Sequence, residues 1–355
     1  MLYTNAEQAA PAIAACVRDK RHILLITHVN PDGDAVGSLL GLGLYWEQQG
    51  HQVTMLAPTP LPHYTLRLGN VERIRVYSES PNYRETLRLP ESVDLIALVD
   101  TGDIRRIARI YDENRDYIEA RPLIIIDHHA TNTGEGTVNL IDASLSSTCE
   151  LIYRLLRAWN AQITPAIATA LLMGVITDTQ SFKTSNTTPS ALRTAADLIE
   201  LGADRALIMN EVYSNIPFET AKLLSLALSE LRRDGEIAWS HVTQVMQRSV
   251  GASDDAAAEV TEYIANLGGL KATALFKERK DGSVKVSLRS VPSVDVAAVA
   301  QQFGGGGHRQ AAGATLEGPI HEAEARLLHV LRAAVREASA RDSATSETIN
   351  YQRHG

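Results

Sequence analysis

The sequence predicts an α/β protein in two parts: a larger N-terminal domain built on a parallel sheet, joined by a helical linker to a smaller C-terminal α/β domain. Three observations carry this. Short apolar runs without polar alternation, expected of strands covered on both faces, recur between helical patterns over the first two hundred residues. Strand signals return after residue 235, two of them joined by Asp281-Gly282, a favoured hairpin dipeptide. The length of 355 residues suits two domains.

In chain order, His22 to Thr27 reads as an apolar strand, Ala35 to Gln49 as a helix ended by Gly50, and Gln52 to Leu56 as a further strand. Val93 to Val99 and Leu123 to Ile126 read as central strands, so a parallel sheet follows. From Ser147 the pattern turns helical, over Cys149 to Trp159, Pro165 to Ile176, Pro189 to Leu201 and Phe218 to Leu231. Pro165 and Pro189 suit first-turn positions and Gly202 a C-terminal stop. Strands are expected at Glu236 to Ser240, Ala272 to Lys280 and Val284 to Arg289, and helices at Asp295 to Phe303 and His321 to Ala338. The domains are then 1–201 and 236–341, with 202–235 as linker and 342–355 as a polar, disordered tail.

Composition narrows the function. The chain is 45% hydrophobic and 21% charged, ordinary for a globular protein. Acids outnumber bases, 42 to 34, for a formal charge of −8, which argues against coating long duplexes with a basic face. A short phosphate-bearing substrate in a local pocket is still permitted. Cys16 and Cys149 are too few for a disulfide framework, and Met1 to Cys16 lacks the pattern of a signal peptide. The longest nearly apolar stretch, Ile167 to Ile176, is about half of a membrane span. The expected setting is the cytoplasm, with no membrane role.

Three strands run straight into acidic or imidazole side chains: His22 to Thr27 into His28-Val29-Asn30-Pro31-Asp32-Gly33-Asp34, Val93 to Val99 into Asp100, and Leu123 to Ile126 into Asp127-His128-His129. The carboxyl ends of parallel strands face one crevice, so these groups should converge. Asp178, after the apolar helical run, is a fourth contributor. Clustered carboxylates repel one another unless a cation sits among them. Imidazole and carboxylate donors without thiolate suit Mn²⁺, with Mg²⁺, Co²⁺ or Zn²⁺ as alternatives. Each piece alone has a simpler reading. Pro31 to Asp34 reads as a turn, Asp100 as a cap, the histidine pair as one satisfied and one exposed residue, and Asp178 as a helix-terminal acid. Their joint occurrence at successive strand ends outweighs those readings.

These motifs resemble the DHH phosphoesterase superfamily, named for the triplet present here as Asp127-His128-His129. The likeness runs from about Lys20 to Ala338 and includes Phe303-Gly304-Gly305-Gly306-Gly307-His308 with Ala311-Ala312-Gly313, similar to the C-terminal DHH-associated domain. The layout looks most like bacterial nanoRNases, which also dephosphorylate 3′-phosphoadenosine 5′-phosphate. The resemblance implies one metal at His28, Asp32 and Asp100 and a second at Asp34, Asp100, His128 and Asp178, with Asp100 shared. It implies that His129 contacts the scissile phosphate and that Asp127 orients an imidazole. Gly305, Gly306, Gly307 and His308 would bind the substrate's terminal phosphate or nucleotide, in a cleft between the domains. The glycine run by itself reads as a loop. Arg289, at a strand end, is the favoured phosphate-gripping guanidinium. Arg105 and Arg106, just after Asp100, are within reach of the site, though the solvated-surface reading is favoured for both.

The implied reaction is phosphoester hydrolysis by metal-activated water, on short single-stranded RNA or DNA oligonucleotides and small nucleotide phosphoesters. Relatives of the same layout hydrolyse cyclic di-AMP or its linear product. An inorganic pyrophosphatase and a non-catalytic nucleotide sensor are weaker alternatives. A homodimer through the DHH domain is suggested by resemblance alone. Four of the 42 acids, Asp32, Asp34, Asp100 and Asp178, become metal ligands, so two divalent ions would cancel their charge and bring −8 to −8 + 4 = −4.

Overall fold

The computed structural model describes residues 1–77 and 89–353, without the side chains of His308 and 343–353. The chain separates into two compact units between Asn215 and Ile216, a point inside the 202–235 span read as linker.

The N-terminal unit is built on a seven-stranded sheet. Its strands are β1 (Leu2–Tyr3), β2 (His22–Ile26), β3 (Gln52–Ala57), β4 (Ile74–Val76), β5 (Leu95–Val99), β6 (Leu123–Asp127) and β7 (Val138–Ile141). The order is β1-β7-β6-β5-β2-β3-β4, and every pairing is parallel. The apolar runs are uninterrupted because the sheet is buried on both faces. Ile23, Leu25, Ala97, Val99, Ile124 and Ile126 enter one core, while Leu24, Ile26, Ile96, Leu98 and Ile125 enter another. The first core is covered by α1 (Ala6–Val17), α2 (Gly33–Gln48), α4 (Thr148–Ala158) and α5 (Pro165–Asp178), the second by α3 (Arg109–Glu119). Two further helices, α6 (Pro189–Glu200) and α7 (Arg205–Met209), follow. Pro165 and Pro189 each begin their helix after a threonine cap, as their sequence positions predict. The sequence reading did not include β1, α1, β4, α3 or β7. β1 and β4 are only two and three residues long, too short to show a period.

Helices α2 and α5 meet through small residues. A Cβ on Gly37 would lie 2.3 Å from the carbonyl oxygen of Ala170. One on Gly174 would lie 2.3 Å from Cys149 Sγ and 2.5 Å from Asp34 Oδ1. These contacts are tighter than any side chain tolerates, so the approach of the two helices depends on the missing atoms.

The C-terminal unit has a six-stranded mixed sheet, with strands β8 (Arg232–Asp234), β9 (Ile237–Val242), β10 (Ala272–Glu278), β11 (Val284–Ser290), β12 (Gly306–His308) and β13 (Ala311–Leu316). The order is β12-β13-β11-β10-β9-β8; β9 and β10 pair in parallel, the others antiparallel. Helices α8 (Phe218–Ser229) and α10 (Ala257–Ala265) supply one of its cores, and α11 (Val296–Gln301) and α12 (Ile320–Arg353) the other; α9 (Gln244–Val250) packs against the first. Two expectations are corrected here. The glycine run is not simply a loop, because Gly306 and Gly307 enter β12 and pair with β13. A Cβ on Gly305 would meet Gly313 O at 2.2 Å and one on Gly307 would meet Ala311 O at 2.5 Å, so the glycines permit backbone contact rather than flexibility. The segment read as a disordered tail continues α12 to Arg353, since no Gly or Pro interrupts residues 320–353.

Among the described residues no helix is long and apolar enough to cross a membrane.

Replacing Gly37 or Gly174 by Ala should destabilise the N-terminal unit by about 1–3 kcal/mol, against a gain of roughly 1 kcal/mol in helix propensity. Gly43→Ala should cost less, because its Cβ would meet the flexible thioether of Met55. Urea unfolding of the three variants checks the order, and equal midpoints would refute it.

Candidate metal centre

The ends of β2, β5 and β6 and the two helices α2 and α5 bring the predicted groups together. Asp100 follows β5 in a left-handed conformation, φ 55°, which turns the chain off the strand; Asp tolerates this region better than most residues. The carbonyl oxygen of Val99 accepts hydrogen bonds from Thr27 Oγ1 and Thr101 Oγ1, at 3.0 and 2.9 Å, and fixes the strand end. Asp32 is the N-cap of α2: its Oδ1 accepts from the amides of Asp34 and Ala35 at 3.0 and 3.1 Å. Asp178 ends α5.

Three groups place one potential ligand atom from each residue within 4.8 Å of the others: His28, Asp32 and Asp100; Asp34, His128 and Asp178; and Asp100, His128 and His129. Asp100 belongs to two of them. His28 Nε2 lies 3.4 Å from Asp100 Oδ2, while its Nδ1 donates to the Val29 carbonyl at 2.8 Å, which leaves Nε2 facing the centre. His128 Nε2 lies 3.9, 3.7 and 3.6 Å from carboxylate oxygens of Asp34, Asp100 and Asp178. Every ligand named from the sequence is therefore at the centre. The donors are oxygen and imidazole nitrogen, a set suited to a divalent cation such as Mn²⁺. Cys149 stays outside the donor groups; its Sγ lies 3.5 Å from the backbone oxygen of Asp34.

The triplet divides its work. Asp127 accepts from His129 Nδ1 at 2.8 Å through Oδ1, which also accepts the His128 amide at 2.9 Å. The imidazole it orients is thus that of His129. Asn132 Nδ2 donates to the other oxygen of Asp127 at 2.8 Å and to the Thr101 carbonyl at 2.9 Å. Burial alone would lower His129, but the hydrogen bond and charge of Asp127 outweigh it and raise the group to about 9. The imidazole is charged at neutral pH.

The carboxylates diverge. Burial pushes Asp34 well above the usual range, and the charges of Asp100 and Asp178 add to it. Burial, with Asp32 and Asp100, raises Asp178 to about 8. Burial pulls Asp100 upward too, but the hydrogen bond and charge of His28, together with His128 and His129, hold it at about 2.

The sequence reading missed what grips these acids. The first turn of α4 feeds three donors into the centre. The amides of Thr148 and Cys149 bond the two oxygens of Asp34 at 2.7 and 2.9 Å, and Thr148 Oγ1 bonds Asp100 Oδ1 at 3.1 Å. The turn is itself fixed by Ser147 Oγ, which accepts the Glu150 amide, and by the buried Glu150 carboxylate, which accepts from the amide and hydroxyl of Ser146. Ser147 and Glu150 have the spacing of a capping box, the sequence signal that could have marked this helix start. Arg106, read as a surface residue, is half-buried with Nη2 3.4 Å from His28 Nδ1. Arg105 is exposed.

In the C-terminal unit, Arg289 Nε and Nη2 both bond Glu262 Oε1, at 3.1 and 2.8 Å. Its cross-strand row runs through Ala311 to His308, whose side chain lies outside the described residues.

Comparison with known proteins agrees with the whole layout. Residues 22–175 match the DHH family, N-terminal domain, and 241–337 the DHHA1 domain. The bifunctional oligoribonuclease and PAP phosphatase NrnA of Thermus thermophilus is 31% identical over 87% of this chain and 89% of its own length. The cyclic-di-AMP phosphodiesterase PdeA of Listeria monocytogenes is 25% identical over 93% of this chain but 50% of its own length. The crystal structure of an exopolyphosphatase-related protein from Bacteroides fragilis superposes with a TM-score of 0.83, at 23% identity, over 93% of this chain and 96% of that one.

Two predictions follow from the charges and their partners. Without metal, the melting temperature should fall as pH rises from about 4 to 9. Asp178 stands at about 8 against an ordinary 3.8, and His129 at about 9 against 6.5, so each stabilises the folded state below its ordinary value and loses that contribution as pH passes its folded one. Mn²⁺ should restore stability most at the alkaline end, as scanning fluorimetry with and without chelator would show; a metal-free protein that gains stability over this window contradicts the picture. Thr148→Val keeps the side-chain shape and removes the donor to Asp100, so metal affinity or activity should drop roughly 10–100-fold, measured by Mn²⁺ titration.

Proposed function

The chain belongs to the DHH family, and from that membership we propose that it hydrolyses short oligoribonucleotides to mononucleotides and removes the 3′-phosphate from 3′-phosphoadenosine 5′-phosphate. One observation carries the reading: the identity to the Thermus enzyme extends over nearly the full length of both chains, and so through the C-terminal domain as well as the metal centre. The proposal includes two divalent ions, Mn²⁺ being the best match to the donors, one at His28, Asp32 and Asp100 and the other at Asp34, Asp100, His128 and Asp178. When bound, such a pair lowers the pKa of water towards neutrality and offsets charge on phosphoryl oxygens.

The protein's own groups do the rest. Asp100, ionised and buried, is the shared ligand. His129, protonated and held by Asp127, offers a proton or a charge-assisted hydrogen bond to the phosphate or the departing ester oxygen. Asn132 keeps Asp127 turned towards it. Arg106 adds a cation on the His28 side of the centre. Arg289, the backbone of Gly305, Gly306 and Gly307, and His308 are assigned to the substrate's terminal phosphate or nucleotide. Short single-stranded substrates, a cytoplasmic setting and a homodimer belong to the same proposal.

The test is a panel of short oligoribonucleotides, 3′-phosphoadenosine 5′-phosphate, cyclic di-AMP and pyrophosphate, with Mn²⁺ and with chelator. The first two should be hydrolysed fastest, only with metal. Preference for cyclic di-AMP would replace this reading with that of the Listeria relative. Asp100→Ala and His128→Ala should each lower kcat by at least about 10²-fold while the circular dichroism spectrum stays native. Near-normal metal-dependent turnover in either variant would overturn the ligand assignment.

A further inference from the structure

Arg289 has five N–H donors, and the structure commits three of them. Nε and one N–H of Nη2 bond Glu262 Oε1, and one N–H of Nη1 bonds the carbonyl of Leu288 at 3.0 Å. Glu262 thus occupies the side edge of the guanidinium, and one donor remains on each terminal nitrogen. Two N–H groups from the two ends of a planar fork match two oxygens of one phosphate. Glu262 stands on α10 and Arg289 on β11, so the contact ties two separate elements. Both side chains are partly open, at 32% and 43% exposure, so the remaining edge is available to a ligand.

From this we propose that Glu262 is a positioning residue that holds Arg289 by its side edge and presents the remaining edge to the terminal phosphate of the substrate. The inference rests on the functional reading above. A free arginine at this strand end would sample many rotamers, and ordering it would weaken phosphate binding. Glu262 supplies that order before the substrate arrives. Its carboxylate does not need its charge for this, because the oxygen that accepts both bonds is equally present in glutamine.

The experiment compares Glu262→Ala, Glu262→Gln, Arg289→Ala and the double alanine variant on two substrates. One is a 5′-phosphorylated diadenylate, which carries a terminal phosphate; the other is bis(p-nitrophenyl) phosphate, which does not. Arg289→Ala should raise KM for the dinucleotide about tenfold and Glu262→Ala several-fold, with the change in KM rather than kcat. Glu262→Gln should lie close to the parent, and the double variant should match Arg289→Ala. The KM for the synthetic diester should rise less than that for the dinucleotide in each variant. Calorimetric affinity for the dinucleotide, measured in parallel, reads the inference even if turnover fails. Absence of hydrolysis on every nucleotide would sink the functional reading, while equal dinucleotide affinity in Glu262→Ala and the parent would overturn the role of Glu262. Tighter binding in Glu262→Ala, multiplicative effects in the double variant, or an equal KM change on both substrates would overturn it as well.

Discussion

Several carboxylates crowded into one small volume, two of them almost entirely removed from water, are the constraint on which the N-terminal unit depends. Asp34 and Asp100 are 1% and 2% exposed. An ionised carboxylate in that setting is expensive unless it is hydrogen-bonded or paired. The molecule answers with three kinds of partner: backbone amides at the start of α4 for Asp34, imidazoles for Asp100, and a donor set open to a cation for the whole group. The amides carry no proton that could be lost at working pH, and the partial positive charge of a helix start favours an anion. One amide on each oxygen favours the ionised form of Asp34, against the burial that disfavours it.

That gathering requires the backbone to accept conformations it usually avoids. Asn30, Asp100, Gln180, Ser181 and Phe182 all have φ between 46° and 68°, a region that costs most residues about 1–2 kcal/mol each. Asn70, Ala108 and Asn160 share this region, but the five named here lie close in sequence to the candidate ligands. Asn30 lies two residues before the cap of α2, Asp100 is itself a candidate ligand, and the other three begin two residues after Asp178. The packed core around α2 and α5 is what holds such turns in place. Much of the backbone strain thus lies beside the buried charges, and at Asp100 the two coincide, as expected where preorganisation is needed.

The sequence made most of the candidate ligands legible because they follow strands, and a parallel sheet gathers strand ends without any help from long-range detail. His28, Asp100 and His128 could be placed together from topology alone. It did not reveal Thr148, because a hydroxyl near a helix start looks the same whether it caps or reaches 48 residues back to Asp100. Arg106 is hard to place for a similar reason: a charged side chain after a turn is usually solvated, and the fold is what shows it turned towards His28. The β12 strand was hidden by its glycines, whose propensity argues for a loop while their lack of a side chain is what lets β13 approach. Short elements such as β1 and β4 draw their stability from neighbours and leave no periodic trace.

Asp32 shows why the simple and the functional readings of a motif need not compete. Taken alone, Pro31 to Asp34 reads as a turn rather than a metal site, and the structure shows that the turn caps α2: Oδ1 of Asp32 takes the amides of Asp34 and Ala35. Asp32 also offers a carboxylate oxygen to the group formed with His28 and Asp100. Capping fixes the rotamer of the carboxylate, so its oxygens are held in place before any cation arrives, and the entropy of ordering them is settled in folding. Asp127 is more fully claimed, its Oδ1 accepting from both His129 Nδ1 and the His128 amide and its Oδ2 from Asn132, against one amide on each oxygen of Asp34, and it belongs to none of the three donor groups. What separates a ligand from a positioning acid here is the count of lone pairs that the protein leaves unclaimed.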